Sequence, residues 1–156
     1  MVYSRGMSAT RVINPAGLAL IQQWEGLALT AYRDIAGVWT IGWGHTGGVY
    51  KGQVITQTEA LQLLMGDLAG FEAFVAAHTD PAATSDNQFA AMVSLAYNIG
   101  TGGFLGSTVL RDHKAGDFQG AAAAFLLWDK AHVDGQLVVV RGLLNRRIAE
   151  AALYST

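Results

Sequence analysis

Residues 24–45 read WEGLALTAYRDIAGVWTIGWGH, and the change of character within this stretch indicates the fold. Before it, Asn14 and Pro15 supply a capping side chain and a residue suited to a first helical turn. They predict a helix that ends at about Glu25, where a glycine follows. After that glycine, β-branched and aromatic residues with frequent glycines are typical of short antiparallel strands. We therefore expect two or three small strands within 29–55, and no other sheet.

From Thr56 onward the pattern is helical. Two residue pairs have the spacing of a capping box, namely Thr56 with Glu59 and Ser85 with Gln88. We expect their helices to end near 78 and 98–100, followed by a short helix closed by Gly116, an alanine-rich helix from Asp117 to Trp128, a turn at 132–136 and a last helix from about Val138 to Tyr154.

These elements predict one α+β domain over residues 1–156, with a small antiparallel β-lobe (29–55) packed against a larger helical lobe (56–156). A length of 156 residues, of which 51% are hydrophobic, suffices for one core and is too short for two. We expect residues 1–13 to form a loose arm. The sequence leaves open whether translation starts at Met1 or Met7.

Composition argues against several classes of function. The chain has no cysteine, so disulfide and thiol chemistry are excluded. Its formal net charge is -2 and its basic residues are mostly scattered, so we expect no nucleic-acid partner. The histidines lack metal-site spacing, so we expect neither a metal nor a cofactor. We find no apolar segment near the roughly 20 residues of a membrane span, and expect no stable membrane insertion.

Glu25 is an unusual carboxylate for its place in the first helix. With Leu18 and Ile21 it forms a stripe spaced i, i+3 and i+7, so it shares an apolar face. Desolvation and the negative end of the helix dipole both favour the protonated acid, which suits a proton donor. The alternative is a helix-end glutamate that reaches solvent or an arginine, and the helix alone leaves both open.

Asp34 and Thr40 lie on the predicted hairpin that follows. If residues 35–37 form a three-residue loop with Gly37 left-handed, Asp34 lies opposite Val38 and on the same face as Thr40. Diagonal neighbours of this kind are roughly 7–8 Å apart and can share a water. A four-residue loop would put them on opposite faces. Asp34 as a turn cap and Thr40 as an ordinary strand residue are the structural alternatives.

Together these residues resemble a known family. Glu25-Gly26, an Asp nine residues after the Glu, and a Thr six residues after the Asp inside TIGWGH match the pattern of the phage-type lysozymes, the muramidases of glycoside hydrolase family 24. AAMVSLAYNIG at 90–100 resembles the central helix of the family, and GLLNRRIAEAALY at 142–154 resembles its C-terminal helix. The resemblance covers nearly the whole chain from about residue 14, and it implies a lysozyme-like fold.

The resemblance also implies an activity, hydrolysis of the β-1,4 bond between N-acetylmuramic acid and N-acetylglucosamine in bacterial peptidoglycan. It implies that Glu25 is the general acid, that Asp34 and Thr40 hold the attacking water, and that the anomeric carbon is inverted. In this family an arginine of the last helix commonly neighbours the glutamate, and here it is Arg146 or Arg147. We expect the substrate site to include Tyr32, Gly42, His45, Asn98 and Arg146, with His45 holding the hairpin against the helical lobe.

The expected partner is peptidoglycan. The implied route is synthesis in the host cytoplasm and release to the periplasm or cell wall at lysis through a separate holin, and we expect a monomer. Two alternatives remain at this stage. A lytic transglycosylase shares the catalytic glutamate but needs no water-holding pair, and a silent wall-binding protein keeps the fold without the chemistry. A slightly acidic chain also differs from the many bacteriolytic muramidases that are basic.

Overall fold

The structure, a computed structural model, describes residues 11–156 and contains seven α-helices and two β-hairpins in that range. The start-codon question and most of the predicted arm lie outside the described residues. In chain order the elements are α1 (Pro15–Glu25), β1 (Ala28–Arg33), β2 (Trp39–Gly42), α2 (Gln57–Thr79), α3 (Asp86–Ile99), α4 (Thr101–Leu105), α5 (Thr108–Lys114), α6 (Phe118–Ala124), a 3-10 turn (Phe125–Trp128), β3 (Lys130–Val133), β4 (Gln136–Val139) and α7 (Arg141–Tyr154).

Helix α1 begins and ends where the sequence predicts. The side chain of Asn14 accepts a hydrogen bond from the Gly17 amide at 2.9 Å, and Pro15 occupies the first turn. At the other end Gly26 takes a positive φ of 71°. Ile21 is fully buried, and α1 packs against α3. The apolar stripe of α1 therefore holds its last residue, Glu25, at the edge of the core.

The first hairpin has the predicted register. Asp34 N–H donates to the Val38 carbonyl at 3.0 Å, and Gly37 has a φ of 81°, so the loop has three residues and a left-handed glycine. Tyr32 lies opposite Thr40. Asp34 and Thr40 therefore start from one face of the ribbon, as the three-residue loop requires.

The helical lobe surrounds one buried cluster of apolar side chains. The capping boxes at Thr56–Glu59 and Ser85–Gln88 are both present and start α2 and α3. The middle of α3, from Phe89 to Ala96, is buried throughout. Because α3 contacts α1, α2 and α7, it is the central helix against which the others are positioned. The predicted α+β architecture, with a small antiparallel β-lobe and a larger helical lobe, is confirmed.

A second hairpin, β3–β4, corrects the expectation of a single sheet. Its loop is Asp134-Gly135, both with positive φ (51° and 80°), which is the geometry of a two-residue hairpin turn. Val138, expected to start the last helix, instead pairs with Ala131, and the helix begins at Arg141. The predicted turn at 132–136 is correct, but the β-branched residues on either side of it pair as strands.

Residues 11–13 are anchored, which differs from the predicted loose arm. The Arg11 guanidinium donates to the Thr84 carbonyl at 2.7 Å and lies 4.7 Å from the centre of the Phe89 ring. The Ile13 amide donates to the buried Glu72 carboxylate at 2.6 Å. These contacts fix the chain just before α1.

The expectation that no segment is long and apolar enough to span a membrane is wrong for α2. Its 23 residues include an 18-residue window with a mean hydropathy of 1.4, which meets that test by length and composition alone. One stripe of α2, containing Leu64, Leu68 and Val75, is buried in the protein core. The absence of membrane insertion stays a prediction.

Two helical glycines give a matched test of the α1–α3 contact. A Cβ on Gly17 would lie 2.5 Å from Ala90 Cβ and 2.6 Å from Ile13 Cγ1, whereas a Cβ on Gly70 meets nothing within 4 Å. We expect Gly17→Ala to lower the free energy of unfolding by about 1–3 kcal/mol through overpacking. Gly70→Ala should raise it by about 0.5–1 kcal/mol through helix propensity. Urea titration of both variants measures this, and changes of the same sign would contradict the packing.

Candidate active site

Glu25 lies partly exposed at the end of α1, and its two carboxylate oxygens have different neighbours. Its side chain is 20% exposed, and Oε2 accepts a hydrogen bond from Arg146 Nη1 at 2.7 Å. Oε1 faces Gly44, where an added Cβ would lie 2.9 Å from it. Gly44 has a φ of 88°, which favours glycine, and a side chain here would fit only if the Glu25 carboxylate moved. One oxygen is thus held by a cation and the other borders the backbone of the β-lobe.

Arg146, not Arg147, is the arginine that neighbours Glu25. Its Nε donates to Glu150 Oε2 at 3.2 Å and its Nη2 to the Ser94 carbonyl at 3.2 Å. Arg146 is 4% exposed, so nearly all of its charge is compensated by these partners rather than by water. The geometry resolves the choice that the NRR sequence leaves open.

Behind Arg146, Glu150 and Arg147 are both fully buried. Glu150 Oε2 accepts hydrogen bonds from Arg147 Nη2 at 3.1 Å, from Arg146 Nε and from the Ser94 hydroxyl. Arg147 Nε lies 2.7 Å from Glu150 Oε1, a close ion contact without hydrogen-bond alignment. Burial raises the pKa of Glu150, and the two arginines oppose that rise. Because one oxygen accepts three donors, we assign Glu150 as a carboxylate.

Two cavities meet at Glu25. The first encloses about 400 Å³ between the β-lobe and the helical lobe, and the second about 290 Å³ beside α7. Glu25 and Asn98 line both. The residues that line only the first are Gly44, His45, Thr46, Gly47, Asp67, Phe71 and Tyr97, and those that line only the second are Trp24, Val140, Gly142, Leu143 and Arg146. The Glu25 carboxyl therefore lies where an elongated ligand can pass.

His45 joins the two lobes. Its Nδ1 lies 2.8 Å from Asp67 Oδ2 on α2, and its Nε2 lies 2.8 Å from the Gly47 carbonyl. Tyr97 makes a second link between the lobes, because its hydroxyl donates to the Trp43 carbonyl at 3.0 Å. Burial and the negative charge of Glu25 raise the pKa of Tyr97, so this hydroxyl stays a donor. These contacts agree with the predicted structural role of His45.

Asp34 and Thr40 converge on one residue, Val38. Asp34 Oδ1 accepts from the Val38 amide at 2.8 Å, and the Thr40 hydroxyl donates to the Val38 carbonyl at 3.0 Å. Asp34 is exposed, whereas Thr40 is 4% exposed. Asp34 is thus also the turn cap of the structural alternative. Neither side chain is among the lining residues of the two cavities at Glu25.

Two further residues predicted to contact the substrate, Tyr32 and Gly42, differ in their exposure. Tyr32 lies on β1 opposite Thr40 and is 44% exposed, so its ring is available to a ligand. Gly42 is buried, and an added Cβ would lie 3.5 Å from Ala60 Cβ on α2. The space beside Gly42 is therefore filled by helix α2. Contact of Gly42 with the substrate stays a prediction.

Sequence reasoning missed three residues that organise this site, Asp67, Tyr97 and Glu150. Asp67 and Glu150 sit on helices whose charged residues look like solvated faces when only the sequence is considered. A signal for Glu150 does exist in NRRIAEAAL, where it follows two arginines at i+4 and i+3, the spacing of helical ion pairs.

Comparison with known proteins shows the family of this chain. The family model described as phage lysozyme matches residues 22–150. The chain belongs to the phage lysozyme family. It is 42% identical to an endolysin of Acyrthosiphon pisum secondary endosymbiont phage 1 over 92% of this chain and 98% of that one.

Solved structures give the same result. The chain is similar to an endolysin from Escherichia coli O157:H7 phage FAHEc1, with a TM-score of 0.87, 38% identity and coverage of 94% of both chains. It is also similar to the muramidase domain of SpmX from Asticaccaulis excentricus, with a TM-score of 0.87, 36% identity and coverage of 94% of this chain and 99% of that one. Membership of this family makes the protein a peptidoglycan-lysing hydrolase.

Gly44 offers a test of how closely the β-lobe must approach Glu25. In Gly44→Ala the new methyl group displaces the Glu25 carboxylate. If Glu25 takes part in the reaction, we expect lytic activity to fall by about 100-fold, the effect of a misplacement of about 1 Å. Gly48→Ala is the control, because Gly48 also has a positive φ, of 70°, but nothing lies within 4 Å of its Cβ position. Both variants should lose similar stability in thermal unfolding. Equal activities in a peptidoglycan turbidity assay would contradict this placement.

Proposed function

We propose that the protein is an endolysin of the muramidase type that cleaves the β-1,4 bond from N-acetylmuramic acid to N-acetylglucosamine with inversion. Glu25 acts as the general acid, and Asp34 with Thr40 positions the attacking water. The observation that supports this most directly is the divided environment of the Glu25 carboxyl. Arg146 holds Oε2, Oε1 faces the backbone at Gly44, and Glu25 lines both cavities through which a glycan strand can pass.

In the proton-donating step the two oxygens of Glu25 have different roles. Glu25 Oε1 carries the proton and gives it to the glycosidic oxygen as the bond to the anomeric carbon breaks. The carboxylate that remains is stabilised by the hydrogen bond from Arg146 Nη1 to Oε2. Because Arg146 is already in place, no protein reorganisation is needed when the negative charge forms.

The water-positioning step belongs to the hairpin. The Thr40 hydroxyl donates to Val38, so its oxygen lone pairs are left to accept from a water. Asp34 Oδ1 is engaged with the Val38 amide, which leaves Oδ2 to take a proton from that water. An inverting pair needs carboxyl groups roughly 6.5–9.5 Å apart. Glu25 on α1 and Asp34 after β1 come from separate elements, as an acid and a base on opposite faces of one sugar ring require.

The lytic transglycosylase reaction is the competing proposal. It would use Glu25 without a water and leave a 1,6-anhydro sugar. Asp34 and Thr40, on one face of the ribbon and in contact with one residue, support hydrolysis instead. Mass spectrometry of digested peptidoglycan separates the reactions, because hydrolysis yields reducing muramic acid ends, and NMR of the fresh products reads their anomeric configuration. Anhydro ends would overturn our proposal, and no released sugar would indicate a silent binding protein.

For delivery, we propose synthesis in the host cytoplasm and release at lysis through a separate holin. The substrate is the expected partner, and a monomer suffices because Glu25, Asp34, Thr40 and Arg146 all come from one chain.

Glu25→Gln keeps the shape of the side chain and removes the acid. We expect peptidoglycan hydrolysis to fall by at least about 100-fold, the lower range for a lost general acid. The free energy of unfolding should change by less than about 1 kcal/mol. The Gln carbonyl still accepts a hydrogen bond from Arg146, and the charge of Arg146 is still neutralised by Glu150. A turbidity assay with urea titration measures both. Retained lysis would refute the assignment of Glu25.

Thr40→Val removes the hydroxyl at nearly constant shape. We expect activity to fall by about 100-fold, because the attacking water loses one of its two positioning groups, while the fold is retained. Thr40→Ser keeps the hydroxyl and should retain most of the activity. The measurement is turnover of labelled peptidoglycan by both variants. Equal turnover of Thr40→Val and wild type would reduce Thr40 to a strand residue.

A further inference from the structure

The three nitrogens of the Arg146 guanidinium have three different partners. Nη1 donates to Glu25 Oε2, Nε to Glu150 Oε2 and Nη2 to the Ser94 carbonyl. An arginine that faces a single carboxylate commonly forms two parallel hydrogen bonds to it. Here Glu25 receives only one hydrogen bond from Arg146, because Nε and Nη2 are already engaged with Glu150 and Ser94.

Glu150 is the group that engages Arg146 Nε. It is fully buried, lies one helical turn after Arg146, and its Oε2 is fixed by Ser94 and Arg147 as well. Glu25, Ser94, Arg146, Arg147 and Glu150 thus form one polar cluster. The Arg146 guanidinium cannot rotate within it without breaking several charge-assisted hydrogen bonds in a site that excludes water. Glu25, at 20% exposure, is its one member that reaches the surface.

We propose that Glu150 is a positioning residue for the proposed acid, which keeps Arg146 in single contact with Glu25 and weakens the attraction of the arginine's positive charge for the ionised Glu25 carboxylate. This inference rests on the proposed function of Glu25. Glu150 itself does not contact the cavities, and it acts only through Arg146. Without the rear carboxylate, the whole cationic charge of Arg146 would act on Glu25, which would favour the ionised and inactive acid.

Other charged and titratable groups also lie near Glu25, but they are independent of Glu150. Tyr97, from α3, senses the charges of Glu25, Asp67 and Arg146, and it remains a neutral hydroxyl. Asp67 is paired with His45 on the far side of the first cavity. None of these groups contacts Glu150, so a change at Glu150 reaches Glu25 through Arg146.

The test compares pH profiles of kcat/KM on labelled peptidoglycan at constant ionic strength. Removal of Glu150 alone would leave two buried arginines with one carboxylate, so the reference protein is Arg147→Met, which keeps Glu150 on Arg146. Adding Glu150→Gln to that reference changes only the charge behind Arg146. We expect the alkaline limb of the profile to move to lower pH by about one pH unit, with activity recovered at acidic pH.

Glu150→Asp in the otherwise unchanged chain is the second variant. It keeps the negative charge but is one methylene shorter, which moves the carboxylate away from Arg146, so we expect a smaller shift of the alkaline limb in the same direction. Thermal unfolding at each pH confirms that the proteins are folded. An alkaline limb that does not move, or moves to higher pH, in both comparisons would overturn the inference and reduce Glu150 to a structural ion pair.

The proposed function fails separately from this inference. If the unmodified protein releases no reducing muramic acid, or if Glu25→Gln remains active, the proposed function is wrong. If the protein is active and depends on Glu25, but its pH profile is insensitive to Glu150, only the positioning role is wrong.

Discussion

The guanidinium of Arg146 is the interaction on which the site depends. It joins α1 through Glu25, α3 through Ser94 and its own helix α7 through Glu150. A buried cation is costly unless it is paired and hydrogen-bonded, so these three helices must meet in one arrangement for the charge to be tolerated. The position of Glu25 is therefore set by the packing of the helical lobe as much as by the helix that carries it.

The β-lobe, on the other side of the first cavity, is attached to the helical lobe by apolar packing and by polar contacts. Ile41 and Trp43 are buried in the shared core, and hydrogen-bond contacts join His45 to Asp67 and Tyr97 to the Trp43 carbonyl. Between these two contacts, the backbone at Gly44 passes close to Glu25 Oε1 because it lacks a Cβ. Glu25 is held from the helical lobe by Arg146, whereas the residues facing it are held by apolar packing together with these polar contacts.

Local features of this chain were predictable because their causes are local. Asn14 and the two capping boxes start helices through contacts within three residues, and the loop length alone decides that Asp34 lies opposite Val38. The pairing of Glu25 with Arg146 joins residues 121 apart in sequence, and only the family resemblance narrowed it to two arginines. The β3–β4 hairpin was missed because its four-residue strands adjoin a helix, so their valines fitted a helical continuation equally well.

Burial of Glu150 and Arg147 is poorly explained by stability. Hydrophobic side chains of similar volume often stabilise a protein as well as, or better than, a buried ion pair, because both ions lose their hydration. Arg147 also leaves buried nitrogens without an aligned partner among the described residues. What Glu150 supplies is a carboxylate at a fixed distance behind Arg146, held in place by Arg147. An apolar replacement could fill the space, but it could not share the charge of the arginine that contacts Glu25.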